Sequence, residues 1–73
     1  MEQAAAATIR VNGVAEVSDA KTIRALLDEK GIDAEGRGVA VALNGSVVPR
    51  AAWSETTLRP DDALEIVQAK QGG

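Results

Sequence analysis

The sequence predicts an α+β domain in which one helix packs on one face of a mixed sheet of four to five strands. Three observations support this prediction. Segments of alternating apolar and polar residues lie at both ends of the chain, one segment between them has helical periodicity, and each half contains an Asn-Gly pair. The chain has 73 residues and no cysteine. Its core is therefore small and must form without disulfides.

The first segment predicts a β-hairpin. Alternation in "TIRVNG" places Ile9 and Val11 on one face of a strand. Asn12-Gly13 predicts a two-residue turn, because both residue types tolerate positive φ. In the returning strand, "VAEV", we expect Val14 and Val17 to make the apolar contacts.

The next segment predicts the helix. Thr22 is the preferred N-cap, with Ser18 or Asp19 as alternatives. Lys30 lies where the negative end of the helix favours a cation, and Gly31 suits the C′ position. The apolar residues fall at i, i+3 and i+4 on one stripe: Ile23, Leu26 and Leu27.

The second half predicts three more strands. In "VAVALNG" the larger residues alternate with alanines, as in a central strand, and these larger residues are assigned to the core: Val39, Val41 and Leu43. Asn44-Gly45 predicts a second tight turn, and Pro49 limits the following piece to an edge or a strand end. After an irregular stretch with a turn at "RPDD", "ALEIVQA" predicts a last strand packed through Leu64, Ile66 and Val67.

The order strand, strand, helix, strand, short strand, strand fits the β-grasp, or ubiquitin-like, arrangement. On this interpretation residues 8–68 form the domain. We expect residues 1–7 to be a disordered extension, since "MEQAAAAT" lacks the basic and apolar regions of a signal peptide. Residues 69–73 are expected to form a flexible tail ending in Gly-Gly, and the protein is expected to be cytoplasmic.

Composition argues against several functions. The net charge is −3 with one aromatic residue and no basic stripe, which disfavours nucleic-acid binding, and no apolar run is long enough to span a membrane.

Histidine and cysteine are absent, so the commonest general base and the thiolate nucleophile are missing. Gly31, Gly36 and Gly38 match no phosphate-binding fingerprint. The acidic cluster of Asp61, Asp62 and Glu65 is interpreted as a solvated turn rather than a metal site. We therefore expect no enzyme activity from this chain alone.

The terminal Gly72-Gly73 suggests that the end of the chain is the working part. The α-carboxylate of Gly73 is a poor electrophile until it is converted to an acyl-adenylate, which needs ATP and a partner. Glycines without side chains could pass through a narrow channel in that partner. Residues 69–73 reach at most about 16–18 Å when extended, enough to enter a buried active site.

Two longer segments, "VAVALNGSVVPRAAW" and "TTLRPDDALEIVQAKQGG", resemble the ThiS family, the sulfur carriers of thiamin biosynthesis. The resemblance covers about residues 8–73. Its most specific elements are Asn44-Gly45, Val48-Pro49-Arg50 followed by Trp53, the "EIV" strand and the terminal Gly-Gly. The related carrier of molybdopterin synthesis shares the fold and the ending, but the Pro-Arg-x-x-Trp segment favours the thiamin branch.

The resemblance implies a β-grasp fold and a C-terminal thiocarboxylate on Gly73. It also implies three kinds of partner: an ATP-dependent adenylating enzyme related to ubiquitin activators, a sulfur relay fed by a cysteine desulfurase, and thiazole synthase as the acceptor. The chain itself would bind no cofactor. Gly72, Gln71 and Lys70 would thread the partner's active site. Lys70 departs from the family, which usually has an apolar or small residue there, and Asp61-Asp62 replaces the common Gly-Asp, so a positive-φ turn would be slightly strained.

Two further residues have open roles. Trp53 is interpreted mainly as a packed residue, because an aromatic ring contributes a large buried area. Arg50 beside it is interpreted mainly as a surface or strand-end charge, since exposed ion pairs contribute little. The alternative for both residues is contact with a partner. For the chain as a whole, the alternatives to thiamin sulfur carriage are a molybdopterin-type sulfur carrier, a ubiquitin-like protein modifier and a plain interaction domain with an incidental tail.

Overall fold

The computed structural model describes residues 6–36 and 38–69, which form a five-stranded mixed sheet and one α-helix. The predicted class and the single helix between two hairpins are confirmed. A short 3-10 turn, Arg50–Ala52, precedes Trp53. The elements are β1 (Ala7–Val11), β2 (Val14–Ser18), α1 (Ile23–Glu29), β3 (Val39–Leu43), β4 (Ser46–Val48) and β5 (Ala63–Gln68).

The last strand of the sequence lies in the middle of the sheet. The strand order is β2-β1-β5-β3-β4. β5 runs parallel to β1, with Val11 opposite Leu64, and antiparallel to β3 from the Val39↔Gln68 pair to the Leu43↔Leu64 pair. The two hairpins are therefore joined into one sheet only through β5.

Both Asn-Gly pairs form the predicted turns. In the β1–β2 turn, Asn12 has φ 53° and Gly13 has φ 84°. In the β3–β4 turn, Asn44 has φ 50° and Gly45 has φ 89°. Two successive positive φ angles define the type I′ turn, whose twist matches that of the flanking strands.

The helix begins and ends as predicted. Thr22 is the N-cap, and its Oγ1 accepts a hydrogen bond from the Ala25 N–H at 3.1 Å. Gly31 follows the C-cap Lys30 with φ 75°, a conformation that glycine adopts without strain. The Lys30 ammonium contacts the Glu16 carboxylate on β2 at 2.9 Å, which ties the helix end to the sheet edge. No helix among the described residues is long and apolar enough to cross a membrane.

The core lies between α1 and one face of the sheet. Every predicted helix-stripe residue is fully buried there. Val39 and Leu43, which flank Val41 on β3, are partly buried and pack against this core. The buried apolar residues are Ile9, Val11, Ile23, Leu26, Leu27, Ala34, Val41, Trp53, Leu64 and Ile66.

Three apolar residues predicted to pack are exposed instead. Val17 and Val67 are 67% and 60% exposed, because the register turns both side chains to the face opposite the helix. Val14 is on the helix side, but it lies at the turn end of the edge strand β2 and is 65% exposed. β1 also begins at Ala7, one residue before the predicted start of the domain.

We expect Leu26→Ala to lower the free energy of unfolding by about 2–5 kcal/mol, because Leu26 is fully buried and the deletion leaves a cavity under the helix. Val47→Ala, at a valine 79% exposed on β4, should change it by about 0.5 kcal/mol or less. Urea unfolding followed by circular dichroism measures both. Equal losses in the two variants would contradict this placement of the core.

Candidate functional site

The residues predicted to carry the chemistry follow β5 after one intervening residue, Ala69. Gly73, Gly72, Gln71 and Lys70, called here the C-terminal segment, lie outside the described residues. The last described residue is Ala69, whose N–H donates to the Gly38 carbonyl at 2.7 Å. The structure therefore shows the base from which the C-terminal segment continues, and that base is the central strand of the sheet.

The Asn12 side chain bonds to β5 near this base. Its Oδ1 accepts from the Ile66 N–H at 2.8 Å, and its Nδ2 donates to the Ile66 carbonyl at 3.2 Å. The side-chain amide thus supplies to Ile66 the acceptor and the donor that the backbone of a longer β1 would have offered. We call this pair of bonds the Asn12 bridge.

The Asn44 side chain bonds to β5 at its other end. Its Oδ1 accepts from the Ala63 N–H at 2.9 Å, and its Nδ2 donates to Asp62 Oδ1 at 3.0 Å. The Asn44 backbone N–H also donates to the Ala63 carbonyl, at 2.7 Å. We call the two side-chain bonds the Asn44 bridge. The turn asparagines of both hairpins therefore bond to the strand between them.

The acidic turn before β5 is a structural turn. Asp61 has φ 70°, so the predicted positive-φ position is confirmed, and its N–H donates to the Thr8 carbonyl at 2.7 Å. Asp62 Oδ2 accepts from the Arg59 N–H at 2.8 Å, while Oδ1 accepts from Asn44. Among the described residues no group of three or more acidic side chains is placed to bind a metal ion.

Trp53 and Arg50 form a corner beside β4. The Trp53 side chain is buried, at 2% exposure, and its Nε1 donates to the Val48 carbonyl at 2.8 Å. The Arg50 guanidinium lies 5.7 Å from the centre of the indole ring, and its Nη2 donates to the Gly36 carbonyl at 2.6 Å. The interpretation of Trp53 as a packed residue is confirmed. Arg50 is exposed at this corner. Its contact with a partner stays a prediction.

The face of the sheet opposite the helix has no covering element in the described part of the chain. Val67 on β5 lies opposite Ala40 on β3, and Ala42 on β3 lies opposite Val47 on β4. Small and apolar side chains therefore lie on all three of these strands, together with Glu65 on β5, which is opposite Ala42. The sequence pattern did not reveal this surface, because an alternating valine in a strand is equally compatible with either face.

The two asparagine bridges were also missed by the sequence reasoning. Each Asn-Gly pair predicts a turn from its positive φ, and that signal says nothing about what the amide group bonds. The bridges depend on β5 lying between the two hairpins, which is a property of strand order. Once the strand order is known, the position of both turn asparagines beside the central strand indicates that their side chains can bond to it.

Comparison with known proteins decides the family. The ThiS family model matches residues 4–73. The chain belongs to the ThiS family. A solved structure that resembles this chain is the crystal structure of the thiamine biosynthesis protein ThiS from Geobacter metallireducens, with 32% identity and a TM-score of 0.74. The similarity covers 90% of this chain and 99% of that one. No curated protein matches this ThiS-family chain significantly. The predicted β-grasp fold and the predicted family are both confirmed.

We expect Asp61→Gly to raise the free energy of unfolding by about 0.5 kcal/mol. Positive φ costs most residues roughly 1–2 kcal/mol, and glycine's larger entropy in the unfolded chain offsets part of that gain. Asp62→Gly is the matched control in the same turn. It should lower the free energy by about 1–2 kcal/mol, because it removes two hydrogen-bond acceptor interactions. Thermal unfolding compares the two, and a loss at position 61 would contradict the account of this turn.

Proposed function

We propose that this chain carries sulfur in thiamin biosynthesis, as a thiocarboxylate on Gly73. The observation that carries the proposal is the ThiS family match, which runs through residue 73. Similarity of fold to the thiamine biosynthesis protein ThiS, at 32% identity, supports it further. The sulfur would be attached to the backbone carbonyl of the last residue, so the absence of cysteine from the sequence is compatible with the role.

The described fold suits a carrier whose reactive group lies at the end of a strand. β5 is bonded by β3 on one side and by β1 and Asn12 on the other, so the residue before the C-terminal segment continues from a fixed strand. Among the described residues, the ten buried apolar side chains lie between Ile9 and Ile66, before the C-terminal segment begins. The chain would act as a co-substrate, with catalysis supplied by its partners.

The proposed chemistry has three steps, which begin at the Gly73 carboxylate. In the first, a carboxylate oxygen attacks the α-phosphorus of ATP and pyrophosphate leaves, which gives the acyl-adenylate. In the second, the terminal sulfur of a persulfide attacks the carbonyl carbon and AMP leaves. A thiol then cleaves the sulfur–sulfur bond, so that the thiocarboxylate stays on Gly73 and a disulfide forms on the donor side. ATP is bound by the activating partner rather than by this chain.

Membership of the ThiS family implies three partners for this chemistry. An adenylating enzyme related to ubiquitin activators would supply the ATP site, and a relay fed by a cysteine desulfurase would supply the persulfide. Thiazole synthase would accept the sulfur. Gly72, Gln71 and Lys70 would occupy the partner's channel, where the side-chain-free glycine allows close approach of the backbone.

Intact mass spectrometry tests the proposal directly. The chain is incubated with the adenylating enzyme, ATP and a sulfur source. A mass increase equal to exchanging one oxygen for one sulfur, localised to Gly73, is the expected result. Unshifted protein beside higher-mass conjugates would instead indicate a ubiquitin-like modifier. No change of either kind, with partners shown to be active on another carrier, would leave an interaction domain.

The acceptor separates the two sulfur-carrier branches. The charged chain is offered in parallel to thiazole synthase and to the large subunit of molybdopterin synthase. Loss of the sulfur mass only with thiazole synthase is the expected result. Transfer to the molybdopterin enzyme alone would assign the chain to the other branch.

Deleting Gly73 should abolish sulfur loading and change the free energy of unfolding by about 0.5 kcal/mol or less, because the core ends at Ile66 and the last described hydrogen bond is made by Ala69. Glu55→Gln, at an exposed side chain after the Trp53 corner, is the control and should load normally. Loading is followed by intact mass and stability by urea unfolding. A chain without Gly73 that still supports thiazole formation would contradict the proposal.

A further inference from the structure

We propose that Asn12 is a positioning residue for sulfur loading, because its side chain fixes the end of β5 from which the C-terminal segment continues. This inference rests on the proposed function and adds to it a residue far from Gly73 in sequence. Asn12 is 54 positions from Ile66, which it contacts through both hydrogen bonds of the Asn12 bridge.

The bridge lies where the pairing of β1 with β5 stops. Val11 is the last residue of β1 and is opposite Leu64, and the Asn12 N–H donates to the Leu64 carbonyl at 2.9 Å. There the chain turns away through Gly13, so Ile66, the next residue of β5 to face this side, has no β1 residue opposite it. The Asn12 amide bonds both of its backbone groups instead. Within the described residues this is the hydrogen-bonded contact on the β1 side that lies nearest to the C-terminal segment.

The opposite side of β5 is secured independently. β3 pairs with it as far as Gln68, and Gly38 then accepts the Ala69 N–H. A strand end bonded along one edge alone can twist about that edge, and a bond on the second edge prevents the rotation. The Asn12 bridge supplies this second restraint. It lies three residues before Ala69, the residue that leads into the C-terminal segment.

The Asn44 bridge provides a natural comparison. It also consists of two side-chain hydrogen bonds made by the first residue of a type I′ Asn-Gly turn. Its contacts are Asp62 and Ala63, at the start of β5, so it restrains the end of the strand remote from the C-terminal segment. Each bridge is made by the side-chain amide of a turn asparagine, and the two differ in which end of β5 they hold. They also differ in one partner, because Asn44 Nδ2 donates to the Asp62 carboxylate rather than to a backbone carbonyl.

Loss of the Asn12 bridge should reduce the competent fraction, meaning the fraction of molecules whose C-terminal segment can enter the active site of the activating enzyme. An apparent dissociation constant rises in inverse proportion to the competent fraction, whereas the rate of the bound, correctly placed complex is unchanged. One hydrogen bond typically changes such an equilibrium by a factor of about 2–10, so two bonds should raise KM about tenfold. The maximal rate, kcat, should stay within about twofold of wild type.

The experiment compares Asn12→Gly with Asn44→Gly. Glycine accepts the positive φ of both positions, so each variant keeps its turn and loses only its side-chain bonds. ATP–pyrophosphate exchange catalysed by the adenylating enzyme is measured as a function of carrier concentration, at a temperature where all three proteins are folded by circular dichroism. We expect KM to rise about tenfold in Asn12→Gly and less than twofold in Asn44→Gly.

Asn12→Asp keeps the shape and the acceptor of the side chain but loses the Nδ2 donor, so it should also raise KM. It replaces Asn12→Gly in the comparison if that variant does not fold.

A second readout follows the strand itself. Amide hydrogen exchange at Ile66 should be faster in Asn12→Gly and unchanged in Asn44→Gly. An Asn12 variant with wild-type KM, or an equal rise in KM for both glycine variants, would overturn the positioning role while leaving sulfur carriage intact. Absence of exchange activity with the wild-type chain would overturn the proposed function and this inference together.

Discussion

The pairing of β5 between β1 and β3 is the interaction on which the rest of the structure depends. Each hairpin alone is a two-stranded piece with an apolar face, which is at best marginally stable in water. β5 joins the two pieces into a sheet broad enough to cover α1, and it contributes Leu64 and Ile66 to the core. The backbone groups of β5 must then be bonded on both sides, since unpaired groups at the centre of a sheet are costly. Both Asn-Gly turns take part in meeting that requirement.

Most of the fold could be predicted from local patterns. The helix stripe, its Thr22 cap and Gly31 terminus, and both type I′ turns are decided by residues close in sequence, and all were correct. The errors concern Val14, Val17 and Val67. Whether a strand valine is buried depends on which face the helix covers and on how near the strand is to an edge. Neither property is encoded in the alternation of the strand itself.

At the candidate site too, features decided by residues close in sequence could be predicted, and features decided by strand order could not. The family resemblance was readable because it consists of contiguous segments, and the positive φ at Asp61 was expected because glycine is common there in the family. The roles of Asn12 and Asn44 could not be predicted, because each side chain bonds to a strand that follows it by 18 residues or more. Trp53 lies between these cases. Its burial was the favoured interpretation from size alone, while its bond to Val48 and the Arg50 guanidinium beside its ring needed the structure.

The position of the last strand at the centre of the sheet has a consequence for how the molecule folds. Contacts between the first and last strands close a loop of more than fifty residues, and such non-local pairing slows folding compared with a helical protein of this size. Neither hairpin gains its missing neighbour until β5 inserts, so the sheet forms in one cooperative step rather than by stable halves. A chain that has not yet inserted β5 lacks the part of the core that Leu64 and Ile66 form. Folding itself can therefore act as a checkpoint: a partner that recognises the finished sheet would engage only molecules in which β5 has been inserted.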